Sequence, residues 1–335
     1  MIGLSLLSVT LMLPLAVVSQ ATAAEGALRL NDIQIVGSHN SYKLAMSAAN
    51  FETLSAGRPE VAASLEYSHL SLPEQLKLGV RKLELDVFYD PEGSLFPGRD
   101  RGSQFPVLHV QNLDDRSNCQ SLVHCLTLLR TWSEQHPRHV PIFVSFNAKD
   151  AAIEWPGAVT PRPFGEDAWQ AMDYEIRAVL GGKLITPAEV FASGELDWPL
   201  LDAARGRFIA VLDESGDKRR SYVSDWRSRA MFANLPEAEP GAAIMIINDP
   251  VEYFSDIQRL VRAGFIVRTR ADADTREART DDTRRRDRAF ESGAQLISTD
   301  YYLPAAHFNS DYVVRIGAPA LCNPVRRSVS CVIAE

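Results

Sequence analysis

Apolar residues in this chain fall into short runs bounded by glycines and charged residues, and longer helical patterns lie between them. Ile33–Gly37, Val80–Phe88, Pro106–Val110, Val140–Phe146, Arg207–Leu212, Ala242–Ile247, Phe265–Arg268 and Ala294–Ser298 read as strands. Helices are expected after the capping serine and early proline of Ser71-Leu72-Pro73-Glu74, continuing through Gln75–Leu78. Cys119–Gln135 carries Leu122, Leu126, Leu129 and Trp132 at helical spacing. Glu166–Leu180 stops at Gly181-Gly182, Tyr253–Ala263 stops at Gly264, and Thr275–Ser292 completes the set. Alternating strands and helices imply a parallel sheet under covering helices. The number of strands and the chain length favour an α/β fold of the (β/α)8 TIM-barrel type, distorted or incomplete, over an open sheet. No repeat or linker divides the chain, so residues 25–335 are expected to form one domain.

The first 24 residues have a different pattern. Leu4–Val18 is nearly continuous apolar sequence, and Ala21-Thr22-Ala23-Ala24 supplies small residues for cleavage. This reads as a secretory signal peptide, although no Lys or Arg precedes the apolar run. An uncleaved anchor is the alternative. The expected location is secreted or periplasmic, with no transmembrane anchor after processing.

Within Leu83-Glu84-Leu85-Asp86-Val87, two carboxylates stand at i and i+2. On a strand they share one face, while Leu83, Leu85 and Val87 share the other. Two acids on one face of a core-like strand repel each other and lose hydration, so something must neutralise them. A hard divalent cation would do so; an ion pair with Lys82 or a neighbouring arginine is the alternative.

Composition narrows the field. Hydrophobic content of 46% and charged content of 23% are ordinary for a globular protein. A net charge of −8 argues against nucleic acid as a partner and gives no general attraction to anionic membranes. Of the four cysteines, Cys119 lies near Cys125 and Cys322 near Cys331. Two local disulfides are expected from an exported chain, although the sequence permits other pairings.

In parallel barrels the chemistry sits at the C-terminal ends of the strands. His39 and Asn40 follow the first expected strand here, Glu84 and Asp86 lie near the end of the second, and His109 ends the third. Asn147 and Lys149 end the fourth, and Asn248, Asp249, Arg268, Arg270 and Asp300 end later ones. Two histidines beside oxygen ligands point to acid–base work on one reacting centre. Asn40, Glu84 and Asp86 offer oxygen, as calcium or magnesium requires. Lys149, Arg268 and Arg270 are candidates for neutralising a phosphate. Much of the stretch from Arg268 to Arg288 should otherwise be a solvated helix face. His69 precedes a helix and is read as a cap.

Val36-Gly37-Ser38-His39-Asn40-Ser41-Tyr42, Leu83-Glu84-Leu85-Asp86 and Val107-Leu108-His109 together resemble the calcium-dependent phosphatidylinositol-specific phospholipase C-like phosphodiesterases of bacteria. Blocks at 141–150, 265–275 and 293–302 look similar to the same group, whose barrel resembles that of the eukaryotic phosphoinositide phospholipases C. The resemblance implies that His39 stabilises the pentavalent phosphate and His109 is the second catalytic histidine. It also implies Ca2+ held by Asn40, Glu84 and Asp86. The implied reaction is attack of the inositol 2-hydroxyl on phosphorus, with diacylglycerol leaving and a cyclic inositol phosphate formed. Eukaryotic relatives place a further glutamate ligand where this chain has Asn147, which keeps an oxygen but removes a charge and a candidate base. Weaker calcium affinity follows. The substrate is expected to be a phospholipid or another phosphodiester, met at a membrane surface or in solution. Two other readings stand beside this one: a glycerophosphodiesterase or phospholipase D-like barrel enzyme, and a catalytically silent barrel that binds a phospholipid head group or glycan.

Overall fold

The strands follow the alternation of the sequence closely. In the computed structural model, which describes residues 28–335, they are β1 (Ile33–Ser38), β2 (Lys82–Val87), β3 (Ile142–Ala148), β4 (Leu184–Ile185), β5 (Phe208–Leu212), β6 (Phe232–Ala233), β7 (Ile244–Ile246), β8 (Ile266–Arg270), β9 (Leu296–Thr299), β10 (Ala320–Cys322) and β11 (Val332–Ile333). The parallel order runs β4-β5-β3-β2-β1-β9-β8-β7, and β6 pairs with the far end of β5. One parallel bridge between Asn234 and Ile244 links β6 to β7, so the curled sheet closes there through its thinnest contact. The expected distorted α/β barrel is the fold observed.

Residues two apart along each strand line the interior. Ile35, Phe143, Ile209, Phe232, Ile244, Ile266 and Leu296 pack into an apolar floor. Two residues further on, the same faces present Glu84, Ser145, Arg268 and Ser298, and the next step reaches His39, Asp86, Asn147, Asp213, Arg270 and Asp300. The opposite faces of β2 and β3 pack Leu83, Leu85, Val87, Val144 and Phe146 against the helices Leu122–Gln135 and Glu166–Leu180. A barrel that changes from apolar floor to polar mouth is what the period of two predicts.

β10 and β11 form an antiparallel hairpin that joins β1 at Ile33 and Gln34, beside the floor. Cys322–Cys331 ties this hairpin, and Cys119–Cys125 ties the start of the Leu122–Gln135 helix, as the two expected local disulfides. No helix among the described residues is long and apolar enough to cross a membrane. The expected signal peptide over residues 1–24 lies outside the described residues.

Two expected elements differ, and one helix pair was not expected. Pro106–Val110 is not a barrel strand. It makes isolated antiparallel bridges to Val87 and Ser121, so His109 arrives on a loop after β2. Pro106, Val107 and Leu108 are buried, Val107 in the outer shell, which produced the strand-like pattern. Thr275–Ser292 breaks into the helices Arg276–Thr280 and Arg284–Glu291, because Asp281 takes a left-handed backbone at φ 53°. Residues 45–67, where no element was expected, contain the helices Ala48–Gly57 and Pro59–Ser64.

Candidate active site

Each histidine of the mouth is fixed by a buried carboxylate. His39 follows β1, and its Nδ1 lies 2.9 Å from Asp300 Oδ1, just past β9. His109 Nδ1 lies 2.8 Å from Asp114 Oδ2. A tight turn makes the second pair: Val110 N–H and Asp114 N–H donate to each other's carbonyls, and Asn112 sits at φ 59° between them. The His39 and His109 side chains keep 19% and 16% of their surface, so both rings can be reached from the cleft. With Nδ1 committed in both, Nε2 is the atom each has left for chemistry.

The acids lie between them. Lys82 Nζ donates to Glu84 Oε2, and Arg268 Nη2 donates to the same oxygen at 2.8 Å. Oε1 is left toward the mouth, 3.3 Å from Asn147 Nδ2 and 3.5 Å from His39 Nε2. Asn147 Nδ2 also donates to Asp86 Oδ1 at 3.1 Å, and Lys149 Nζ stands 2.9 Å from Asp86 Oδ2. The register explains this meeting, since Glu84 pairs with Ser145 and Asp86 with Asn147. The ion-pair alternative of the sequence is therefore present at Glu84, with Lys82 and an arginine both contributing.

Burial and charge set the protonation states. Burial alone would raise the Glu84 carboxyl, but Lys82, Arg268 and His39 hold it well below the usual range. Burial of Lys82 outweighs its carboxylate partner and pulls its ammonium down to about 8. His39 is lowered by burial and then by the Arg270 guanidinium, which favours its neutral form. Asp300 would be raised by burial, but His39, Arg270 and His69 hold it at about 2. Below it, Asp272 accepts from the Asp300 N–H at 2.9 Å and from the Thr299 hydroxyl. Burial and the nearby Asp300 charge push Asp272 up to about 7.

The oxygen donors fit a hard cation. Glu84 Oε1, both oxygens of Asp86 and the amides of Asn40 and Asn147 are the right chemistry, and Asp86 Oδ2 is buried without a hydrogen-bond donor of good geometry. Asn40 stands at φ 45° with its amide nitrogen donating to the Tyr67 hydroxyl at 2.9 Å, which leaves Oδ1 as its other polar atom. The Asn147 amide presents oxygen to the same place if turned end for end. Among the described residues no three His, Cys, Asp or Glu side chains converge as a ready ligand set, so these amides have to complete it.

Of the phosphate candidates, Lys149 and Arg268 are paired with Asp86 and Glu84, and Arg270 Nη2 lies 3.2 Å from Asp300 Oδ2. Several residues of the site went unnoticed in the sequence. Asp213 and Glu214 end β5 as other acids end other strands, and they line the cleft with His109, Asn147, Lys149 and Lys218. Asp114, five residues after His109 across a turn, gave no strand-end signal. Lys43 is fully buried and pairs with Asp114 Oδ1 at 3.3 Å while donating to Leu65 O and Tyr67 O. Its partner Tyr67 lies 3.5 Å from His39 Nδ1, so Lys43 ties the supports of the two histidines together. His69 does not cap a helix; Ser71 does. Instead His69 Nε2 lies 2.7 Å from His39 O, and its ring stacks on Tyr302.

No curated protein matches the sequence. Among solved structures, a calcium-dependent phosphoinositol-specific phospholipase C from a Gram-negative Pseudomonas, in a myo-inositol complex, is similar at a TM-score of 0.55 and 18% identity, over 89% of this chain and 96% of that one. A Ca2+-dependent phosphatidylinositol-specific phospholipase C from Streptomyces antibioticus is similar at 0.54 and 17%, over 87% and 100%. At these identities the likeness speaks for the fold. The sequence profile of the Ca2+-dependent phosphoinositide phospholipases C matches residues 28–104 and 99–324, nearly the whole barrel. This chain therefore belongs to the family of Ca2+-dependent phosphoinositide phospholipases C, and it is a phosphodiesterase of that kind.

Proposed function

We propose that the protein cleaves the glycerol-side phosphodiester of a phosphatidylinositol-type lipid, outside the cytoplasm, by attack of the inositol 2-hydroxyl. The observation that carries this reading is the pair of histidines, each held through Nδ1 by a buried carboxylate, on either side of the Glu84–Asp86–Asn147 cluster. His39, held toward its neutral form and presenting Nε2 at the cleft 3.5 Å from Glu84 Oε1 and from Arg270 Nη1, takes the proton of the attacking hydroxyl. His39 thereby fills the role of base that Asn147, an amide, cannot. His109 Nε2 then gives a proton to the departing glycerol oxygen, and Asp114 stabilises its cationic form. Lys149 and Lys218 supply positive charge to the cleft. Glu84, Asp86, Asn40 and Asn147 would hold Ca2+, which when bound polarises the phosphoryl oxygen and lowers the pKa of a coordinated hydroxyl.

The two roles separate by leaving group. His39→Ala and His109→Ala should each lower kcat by about 10²–10⁴-fold on the natural ester. On an aryl ester, whose phenolate needs no proton to depart, His109→Ala should recover most of its rate and His39→Ala should not. Equal loss on both esters would remove His109 from the role of acid.

A further inference from the structure

Beside the polar cleft lies a second, larger and more apolar hollow, with Arg58 and Glu154 at its edge. The cleft holds about 320 Å³ and is lined by charged and amide groups around His109. The neighbouring trough holds about 610 Å³. Leu54 and Leu113 form its floor, and Val61 and Trp155 stand on its walls. Val110 and Ile153 line both hollows, so the two adjoin at these side chains. Val110 directly follows His109 in the chain, and the junction therefore lies at the proton donor of the leaving group.

The trough is built by two segments that the barrel itself does not need. One is the helix pair Ala48–Gly57 and Pro59–Ser64; the other is the strap through Ile153 and Trp155. Along it Val61 and Ile153 leave 43% and 36% of their surface to water. Aliphatic groups held open at the rim of an apolar hollow are unfavourable unless something covers them, and such patches mark binding surfaces.

We infer that this trough binds one hydrocarbon chain of the substrate's leaving group, so that turnover depends on the length of that chain. The inference rests on the reading of the cleft as a phosphodiesterase centre with His109 on the leaving-group side. A phosphodiester has a head-group half and a leaving half. The polar cleft matches the first, and the apolar trough begins where the second must emerge. A chain lying there covers Val61, Trp155 and Ile153, and each methylene buried is worth about a fourfold gain in affinity.

The test uses phosphoinositol esters whose alkyl leaving groups lengthen from methyl to octyl, kept below the concentration at which they aggregate. The inference predicts that kcat/KM of the full protein rises by about fourfold per methylene over the first several carbons. In Val61→Asp, at an exposed wall position, the octyl-to-methyl ratio should collapse toward one. A ratio near one in the wild type, or a ratio unchanged by Val61→Asp, overturns the inference. If the wild type cleaves none of the esters, the phosphodiesterase reading has failed instead. Calorimetric titration with alkyl phosphates of the same lengths then still decides the trough. Affinity that climbs with chain length in the wild type and not in Val61→Asp supports it, and affinity independent of length overturns it.

Discussion

Asp114 and Asp300 determine what the histidines can do. Each accepts from an imidazole Nδ1 and so fixes the tautomer that leaves Nε2 at the cleft. Asp114→Asn keeps the shape but can donate where it should accept. We expect it to lower kcat by about 10²-fold or more with an unchanged far-ultraviolet circular dichroism spectrum, which a steady-state assay and that spectrum check together. Asp272 is a carboxyl that titrates unusually high, pushed up to about 7 by burial and by Asp300. Its unfolded pKa is about 3.9. Between those values the folded state binds the extra proton, so stability falls as pH rises from about 4 to 7 through this group. Asp272→Asn should remove that fall. Thermal melts at pH 4, 5.5 and 7 test it, and parallel melting curves for both proteins would assign the slope elsewhere. Asp300 stood out at a strand end, but Asp114 and Asp272 did not announce themselves in the sequence, because a carboxylate that orients a neighbour carries no pattern of its own.

At the scale of elements, close approach and turn geometry place the site. β1 meets β2 only at Gly37 opposite Lys82. A Cβ on Gly37 would sit 2.4 Å from Lys82 Cβ, so only glycine lets Lys82 run past it to Glu84. Gly37→Ala should displace Lys82 and leave Glu84 less well paired, a loss of about 3–5 kcal/mol in denaturant titration. A loss below about 1 kcal/mol would mean that β1 shifts freely. The His109 turn depends likewise on Asn112 at φ 59°. Asn112→Val is strained there, Asn112→Gly is not, and activity should follow that order. The sequence showed these elements unevenly. The two-residue alternation of β2 was plain and placed Glu84 and Asp86 on one face correctly. The same step applied to β5 would have reached Asp213. Pro106–Val110 misled because burial in the outer shell produces the same apolar run as a barrel strand. The helix pair at 48–64 was missed because it is short and mostly exposed, with little periodicity to read.

For the whole molecule, the barrel sorts its chemistry by height. An apolar floor supports a layer of ion pairs, and these support the histidines and oxygen donors at the mouth. That order was legible in the sequence, since strand after strand ended in a polar group. The internal cations were less so. Lys82 sits at floor level by strand register yet reaches up to Glu84, and only the packed interior shows that it and Arg268 share Oε2. Glu84 thus has one oxygen, Oε1, outside the Lys82 and Arg268 pairs to offer a cation, and Asp86 is the carboxylate that matters more for binding it. Calcium at about 100 times its dissociation constant should stabilise the fold by about 2.7 kcal/mol. A rise in Tm with calcium, abolished in Asp86→Asn, is the expected result of a thermal-shift assay.

The most direct test of the account is phosphorus NMR of the protein mixed with phosphatidylinositol vesicles, first with calcium and then with chelator. The account predicts a cyclic inositol phosphate signal that grows with calcium and stops with chelator. A linear inositol phosphate formed without any cyclic intermediate, or turnover indifferent to chelator, would contradict it.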